Sequence, residues 1–475
     1  MHSRRVLLAI IVAVALIVPM NAAAQLRTSY FMEGSYFRTE LNPALAPTRG
    51  FIALPAMSGV GVNLQSNFLA VDNLYKSYGG NYISVFDSRV SRNNALAGFA
   101  DVNNLKLNAN VSLFGLGFYA RRTYWNIGVN ARVQGGAIME RAMFEGLKSG
   151  SQALYNSSMD LTSFAELYLG SAIPIGDNVT LGFRLKALFG MLNVNGTLSE
   201  ASRNGDYGHL AGDFVFAGRP IERAEAKPNT KYEVNDVFDF RSYHLAGSPS
   251  NFGFAIDLGL EWRLLNDHLK LSVALADLGF ITWSQKQMMG IKLDTQFDMS
   301  QSSLAHSHMF GSPKFEMSSN PLAERADVRR MLNYSVNIGA ELNFLRNHVA
   351  IGVLSHNVYC NNMLRYHEIT TSLNIKPSHW LTLTGSHTFL SGNQPGVFGA
   401  AINIHPRVLN IFAGIDFIDY KMISMSNGGV AFHRPVSHSV YAGVGFNFAR
   451  PRLVRIAEKE AKLERKIERQ KRKNN

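Results

Sequence analysis

From Leu332 to Phe344 apolar and polar residues alternate without a break. Leu332, Tyr334, Val336, Ile338, Ala340, Leu342 and Phe344 fall on one face, and Asn333, Ser335, Asn337, Gly339, Glu341 and Asn343 on the other. Successive side chains of a strand point to opposite faces, so this is a β pattern, and it outlasts the five or six residues of an ordinary strand. Phe252, Phe254, Ile256, Leu258, Leu260, Trp262 and Leu264 repeat it, as do Val440, Ala442, Val444, Phe446 and Phe448. Carried along the chain, the pattern predicts about fourteen strands, near 51–65, 105–120, 124–134, 163–175, 178–198, 251–264 and 269–284, then 332–344, 348–359, 365–376, 380–389, 397–405, 408–420 and 438–448. The 105–120 strand changes phase around Phe114, which predicts a bulge or a glycine kink there.

The connections alternate in kind. Arg121 to Thr123, Gly176-Asp177, Leu265 to Asp267, Leu345 to Asn347, Pro377 to His379 and Pro406-Arg407 are tight. The others, near 66–104, 135–162, 199–250, 285–331, 360–364, 390–396 and 421–437, are mostly long. Tight turns on one side and longer loops on the other are the layout of an outer-membrane barrel, with turns periplasmic and loops external. The predicted fold is therefore an all-β, transmembrane antiparallel barrel of about fourteen strands, and an even count puts both termini in the periplasm. Trp125, Trp262 and Trp380 are expected at the periplasmic interface and Trp283 at the external one, where amphipathic rings suit the headgroup level.

Both ends carry separate signals. Arg4 and Arg5, an apolar run from Val6 to Val18 and the site Ala22-Ala23-Ala24 match a secretory signal peptide cleaved after Ala24. That run is too short to span a bilayer as a helix. Of the +12 formal charge, residues 450–475 hold +7, from eleven Lys plus Arg against four Glu. The basicity belongs to a tail, so a nucleic-acid-binding reading of the whole chain fails. Leu453, Ile456, Leu463 and Ile467 fall near helical spacing, which leaves a short amphipathic helix and a solvated tail both open. The expected organisation is a signal peptide at 1–24, a hatch or plug-like segment at 25–50, the barrel at 51–449 and a basic periplasmic tail at 450–475.

Tyr441-Ala-Gly443-Val-Gly445-Phe446-Asn-Phe448 resembles the C-terminal signal read by the barrel-assembly machinery, although residues follow it here. Glu40-Leu41-Asn42-Pro43-Ala44-Leu45 resembles the N-P-A segment of fatty-acid-transporter-like (FadL/PorV-like) outer-membrane barrels. That group includes the long-chain fatty-acid channel and the barrel subunit of type IX secretion. Arg27 to Arg49 and Leu271 through Asp277-Leu278-Gly279-Phe280-Ile281 to Trp283 look closer still to a family of uncharacterised predicted barrels from Gram-negative bacteria with type IX secretion. The resemblance implies that Tyr30, Phe31, Tyr36, Phe37, Asn42 and Pro43 belong to a segment folded into the lumen. A plug controlling passage and a cap filling space are both open readings of it. Pro43 biases Asn42 away from helix in either case.

Enzyme motifs are absent: there is no P-loop, no G-x-S-x-G and no H-E-x-x-H, and no cofactor is expected. His306-Ser-His308 lacks further ligands for a metal, and the single Cys360 forms no disulfide within the chain. Opposite the lipid-facing sets lie Arg132, Glu166, Arg184, Lys186, Asp257, Glu261, Arg263 and Glu341. Arg or Lys on the lipid face at mid-bilayer costs roughly 2–4 kcal/mol, so these residues are expected in the lumen. Opposite signs on neighbouring strands favour a braced interior over an aqueous path, with Arg184 and Glu261 as one such pair. The reading is a barrel that passes or binds a small apolar molecule. Its alternative is a scaffold that holds a secretion-system or surface-attachment protein through its loops. Outer-membrane lipid surrounds either one.

Overall fold

The computed structural model describes residues 26–55, 58–78, 81–218, 231–233, 250–298, 314–316, 326–359, 366–390, 396–417, 422–424, 430–432 and 437–448. The expected signal peptide, the basic tail, Cys360 and the His306–His308 pair lie outside them.

Fourteen antiparallel strands close on themselves. The first, β1, runs Gly50–Ala53 and resumes as Gly59–Ser66, both halves lying between the same two neighbours. It is followed by β2 (Val102–Ala120), β3 (Thr123–Glu140), β4 (Ser158–Ile175), β5 (Val179–Asn204), β6 (Phe252–Leu264) and β7 (Leu269–Trp283). The remaining strands are β8 (Tyr334–Phe344), β9 (Val349–Tyr359), β10 (Tyr366–Ser378), β11 (Leu381–Leu390), β12 (Val397–Ile404), β13 (Leu409–Phe417) and β14 (Ser437–Phe448). Each pairs with the next, and β14 returns to β1, so the barrel ladder has no free edge. The predicted phase change is a register shift between Ser112 and Phe114.

A band of Leu169, Leu185, Phe254, Leu258, Ile338, Ile351, Ile369 and Leu373 stands exposed on the outer wall. Such a surface suits hydrocarbon, so the chain is a closed β-barrel with a lipid-facing exterior. No helix among the described residues is long and apolar enough to cross a membrane. Trp262 and Trp380 point outward at the end of the barrel that carries the tight turns, hereafter the turn side.

Three expectations are corrected. Trp283 is fully buried, in an interior cluster with Phe164, Leu188 and Ile281, and is not a girdle residue. Leu332 joins that cluster, because β8 begins only at Tyr334 and the two residues before it have not yet taken the lipid-facing phase. The long connections at 199–250 and 285–331 are not loops throughout. β5 runs on to Asn204 and pairs with Tyr207–Gly218, which in turn pairs with Met288–Asp298, so the sheet extends on the loop side. There, residues 67–101 and the helix Arg141–Ser149 enclose a separate apolar core around Phe68, Phe99, Phe144 and Leu147.

Candidate functional site

The lumen is filled by residues 26–49. This segment begins at the loop side, where Arg27 pairs with Glu368 at 2.8 Å and Thr28 donates to Asp416 at 2.7 Å. It descends to Glu33 at the turn side, climbs to Glu40, and returns to Gly50. Wall glycines make room for it: a Cβ on Gly59, Gly182, Gly339 or Gly352 would lie under 3.0 Å from Phe37, Ala44, Tyr30 or Phe31 respectively.

All six residues expected in the hatch are buried there. Tyr30 Oη shares a hydrogen bond with Ser272 Oγ at 2.9 Å, and Asn42 Nδ2 donates to Tyr30 Oη at 3.1 Å. Phe31 packs edge-on against Tyr30, Tyr36 stacks on Phe51 at 4.1 Å, and Phe37 leans on Phe412. Asn42 is extended, at φ −154°, and its Oδ1 accepts the Ala44 N–H at 2.9 Å. This ends the helical turn Arg38–Leu41 as Pro43 requires. Pro43 and Ala44 lie against Gly182 and Gly259.

Above this turn, toward the loops, sits an ionic cluster built by a β-bulge. Asp257 of β6 faces two residues of β7, Ala276 and Asp277, and Asp277 takes φ 63°. The bulge turns both carboxylates inward, and the Asp277 N–H donates to Asp257 Oδ1 at 2.7 Å. Lys186 Nζ lies 2.7 Å from Asp257 Oδ2 and 2.6 Å from Asp277 Oδ1. Arg132 grips Asp277 with both Nη atoms, at 2.6 and 2.8 Å, and reaches Glu166 at 2.9 Å.

The other expected lumen charges divide differently. Arg184 stands opposite Asp257 in the ladder, but its guanidinium donates to Thr39 of the lumen segment at 2.9 Å and lies over the Tyr168 ring. Glu261 faces Thr180, so the expected Arg184–Glu261 pair does not form: the two residues sit four ladder steps out of register. Arg263 is at the turn-side mouth, donating to the Asp177 carbonyl at 2.8 Å. Glu341 lies 3.6 Å from Lys270 and 3.9 Å from Lys376, and both lysines also hold Glu33 of the lumen segment. Asp277, Glu33, Glu40, Lys270 and Lys376 were absent from the candidate set. For Asp277 the signal was a phase slip within 269–284, where the outward series Val273, Leu275 resumes at Leu278, Phe280.

The helical turn Arg38–Leu41 separates two cavities. One, of about 130 Å3 on the loop side, is lined by Glu40, Asn110, Asn130, Arg132 and Asp277. The other, of about 740 Å3, opens to the turn side and is lined by Glu33, Arg38, Glu261, Arg263 and Lys270. On the outer wall, beside the bulge, lies an apolar recess of about 790 Å3 lined by Leu167, Leu185, Phe254 and Phe280. Lys186 borders both the small cavity and this recess. Among the described residues no group of three His, Cys, Asp or Glu side chains is arranged to hold a metal.

The model of a family of unknown function, DUF5723, matches residues 43–416. No curated protein matches. Similar solved structures include the Ralstonia pickettii toluene transporter TbuX, at 9% identity over 90% of this chain and 96% of that one, with a TM-score of 0.41. The Pseudomonas putida toluene transporter TodX is similar at 10% identity over 90% and 96%, with a TM-score of 0.39. A Pseudomonas aeruginosa FadL homologue is similar at 10% identity over 85% and 91%, with a TM-score of 0.37.

Proposed function

Because this chain belongs to DUF5723, a family of unknown function, its role has to be read from its own geometry, and we propose that it is a gated barrel passing or binding a small apolar molecule. The observation that carries the reading is the partition. A single helical turn, Arg38–Leu41, stands between a cavity on the loop side and one on the turn side, and moving it joins them. Residues 26–49 contribute nothing to the barrel ladder, so the segment can move without opening the wall. An apolar molecule has a place to rest on the barrel, the apolar recess on the outer wall beside the bulge.

Deleting Tyr30 to Phe37 tests the gate. The variant is expected to fold, to keep a heat-modifiable barrel, and to conduct more in planar bilayers than the intact chain. A folded, stable and non-conducting variant would overturn the gate. A second reading, a scaffold for a secretion or surface-attachment protein, is favoured by one observation: the apolar core of residues 67–101 and Arg141–Ser149 presents a folded surface on the loop side. In either reading our proposal is that both termini face the periplasm, as the even strand count implies, and that the last strand is the segment offered to the assembly machinery.

A further inference from the structure

The apolar recess on the outer wall follows from one small side chain. Along β5 the outward series runs Phe183, Leu185, Ala187, Phe189, and Ala187 faces Leu167 of β4 and Phe254 of β6 in the ladder. Large side chains around an alanine leave a dent of about 790 Å3, within the size range of small-molecule sites. No Asp or Glu among the described residues lines it. Lys186 and Tyr168 reach its floor, but the Lys186 ammonium is held inside by Asp257 and Asp277, and the Tyr168 ring lies under the Arg184 guanidinium. An apolar lining by itself selects nothing in a membrane, because lipid tails are as apolar as leucine. Selection has to come from the rim.

The loop-side rim carries Arg329. Ladder pairing puts Phe254, Phe280 and Met331 in one row, all of them on the recess. Phe252, Thr282 and Arg329 form the next outward row, about 7 Å nearer the loops. Arg329 is exposed, and no ion pair among the described residues includes it. Asp327, two residues before it, accepts the Gln285 N–H at 2.9 Å. An arginine at the edge of hydrocarbon ordinarily extends its charge toward water. Here the guanidinium lies back toward the recess, 4.3 Å from the centroid of the Phe280 ring. The charge therefore stands where a lipid headgroup meets its chains.

We propose that the recess and Arg329 form a binding site for a phosphate-bearing lipid of the loop-side leaflet, with one acyl chain over Ala187 and the phosphate on the guanidinium. Forked N–H donors match phosphate oxygens, and the apolar dent holds the chain below them. The inference rests on the recess as the seat of an apolar molecule and names its occupant. It requires no movement of residues 26–49.

The test is native mass spectrometry of the purified full-length barrel in detergent, incubated with dioleoyl phosphatidic acid or with dioleoylglycerol, which has the same chains and no phosphate. The parent should retain phosphatidic acid about tenfold more than dioleoylglycerol. Arg329→Gln should lose that preference and retain the two alike. Ala187→Leu, which fills the dent with a side chain like its outward neighbour Leu185, should keep a heat-modifiable barrel and lose the phosphatidic acid as well. Arg407→Gln, at an exposed arginine on the turn side, should match the parent. Equal retention of the two lipids by the parent would overturn the site, as would a parent-like preference in Arg329→Gln or Ala187→Leu. A loss in Arg407→Gln as large as in Arg329→Gln would overturn it too, since any surface arginine would then serve. Displacement of the lipid by millimolar inorganic phosphate would do the same, because the site would then read a free anion. Conductance of the Tyr30 to Phe37 deletion is a separate readout, so the gate and this site fail independently.

Discussion

Lys186 holds the carboxylates of Asp257 and Asp277, and Asp257 also accepts the Asp277 backbone N–H, so the lysine charge is the hinge of the lumen cluster. Breaking a buried ion pair costs about 3–5 kcal/mol because the remaining charge is left unpaired. Lys186→Met is expected to lose about that much in urea unfolding of the reconstituted barrel, and Asp257→Asn added to it should recover a large part. Additive losses would mean that the two residues do not act together. Glu40, on the plug, answers to pH. Its carboxyl accepts Asn110 Nδ2 at 2.6 Å, and it faces Arg132, Glu166, Arg184, Lys186 and Tyr168 without a direct ion pair. Burial pushes its pKa from 4.5 up to about 7. A group raised in the seated state stabilises seating fully below its free pKa and ceases to do so as pH rises through the seated value. Channel openings should therefore be rare near pH 4.5 and increase as pH passes about 7, while Glu40→Gln stays closed throughout. Openings with the same pH dependence in both proteins would assign the effect to another group.

The strands were legible because lipid is an unforgiving solvent: an outward polar side chain or an unpaired backbone group is costly, so apolar residues mark every second position. That is why β6, β9 and β14 begin and end within a residue of their expected bounds. The same rule misplaced Trp283, since the extra residue at Asp277 moves every later inward position of β7 by one. The extension Tyr207–Gly218 escaped notice because it stands outside the hydrocarbon and follows no lipid rule. Which acids and bases meet was legible only in sign: facing the lumen follows from alternation, but partner choice follows from register and from a plug whose path no periodicity records. Glycines on the inner wall do record it. Gly182→Val would drive a branched side chain into the backbone of Pro43 and Ala44. The barrel should close normally but conduct more, as in the plug deletion. Gly385→Ala, with nothing within 4 Å, should be silent in both assays. Equal conductance of Gly182→Val and parent would mean that this wall contact does not hold the plug.

At the scale of the molecule the two ends are chemically distinct, and their sides of the membrane can be read in whole cells. In a Cys360→Ser background, Tyr155→Cys, 84% exposed on the loop side, should react with a membrane-impermeant thiol reagent. Asp177→Cys, 87% exposed in a tight turn, should react only after lysis. The opposite pattern would invert the barrel. The plug touches β2 through Asn110, β5 through Arg184, β7 through Ser272 and Lys270, β8 through Asn337, β10 through Glu368 and Lys376, and β13 through Asp416. Its docking site therefore does not exist until strands from all around the ladder are in register. Seating must come last in folding, as a slow, long-range step after the hairpins have zipped and the seam between β1 and β14 has closed. A barrel with one slipped strand would therefore lack part of the set of contacts that seats residues 26–49.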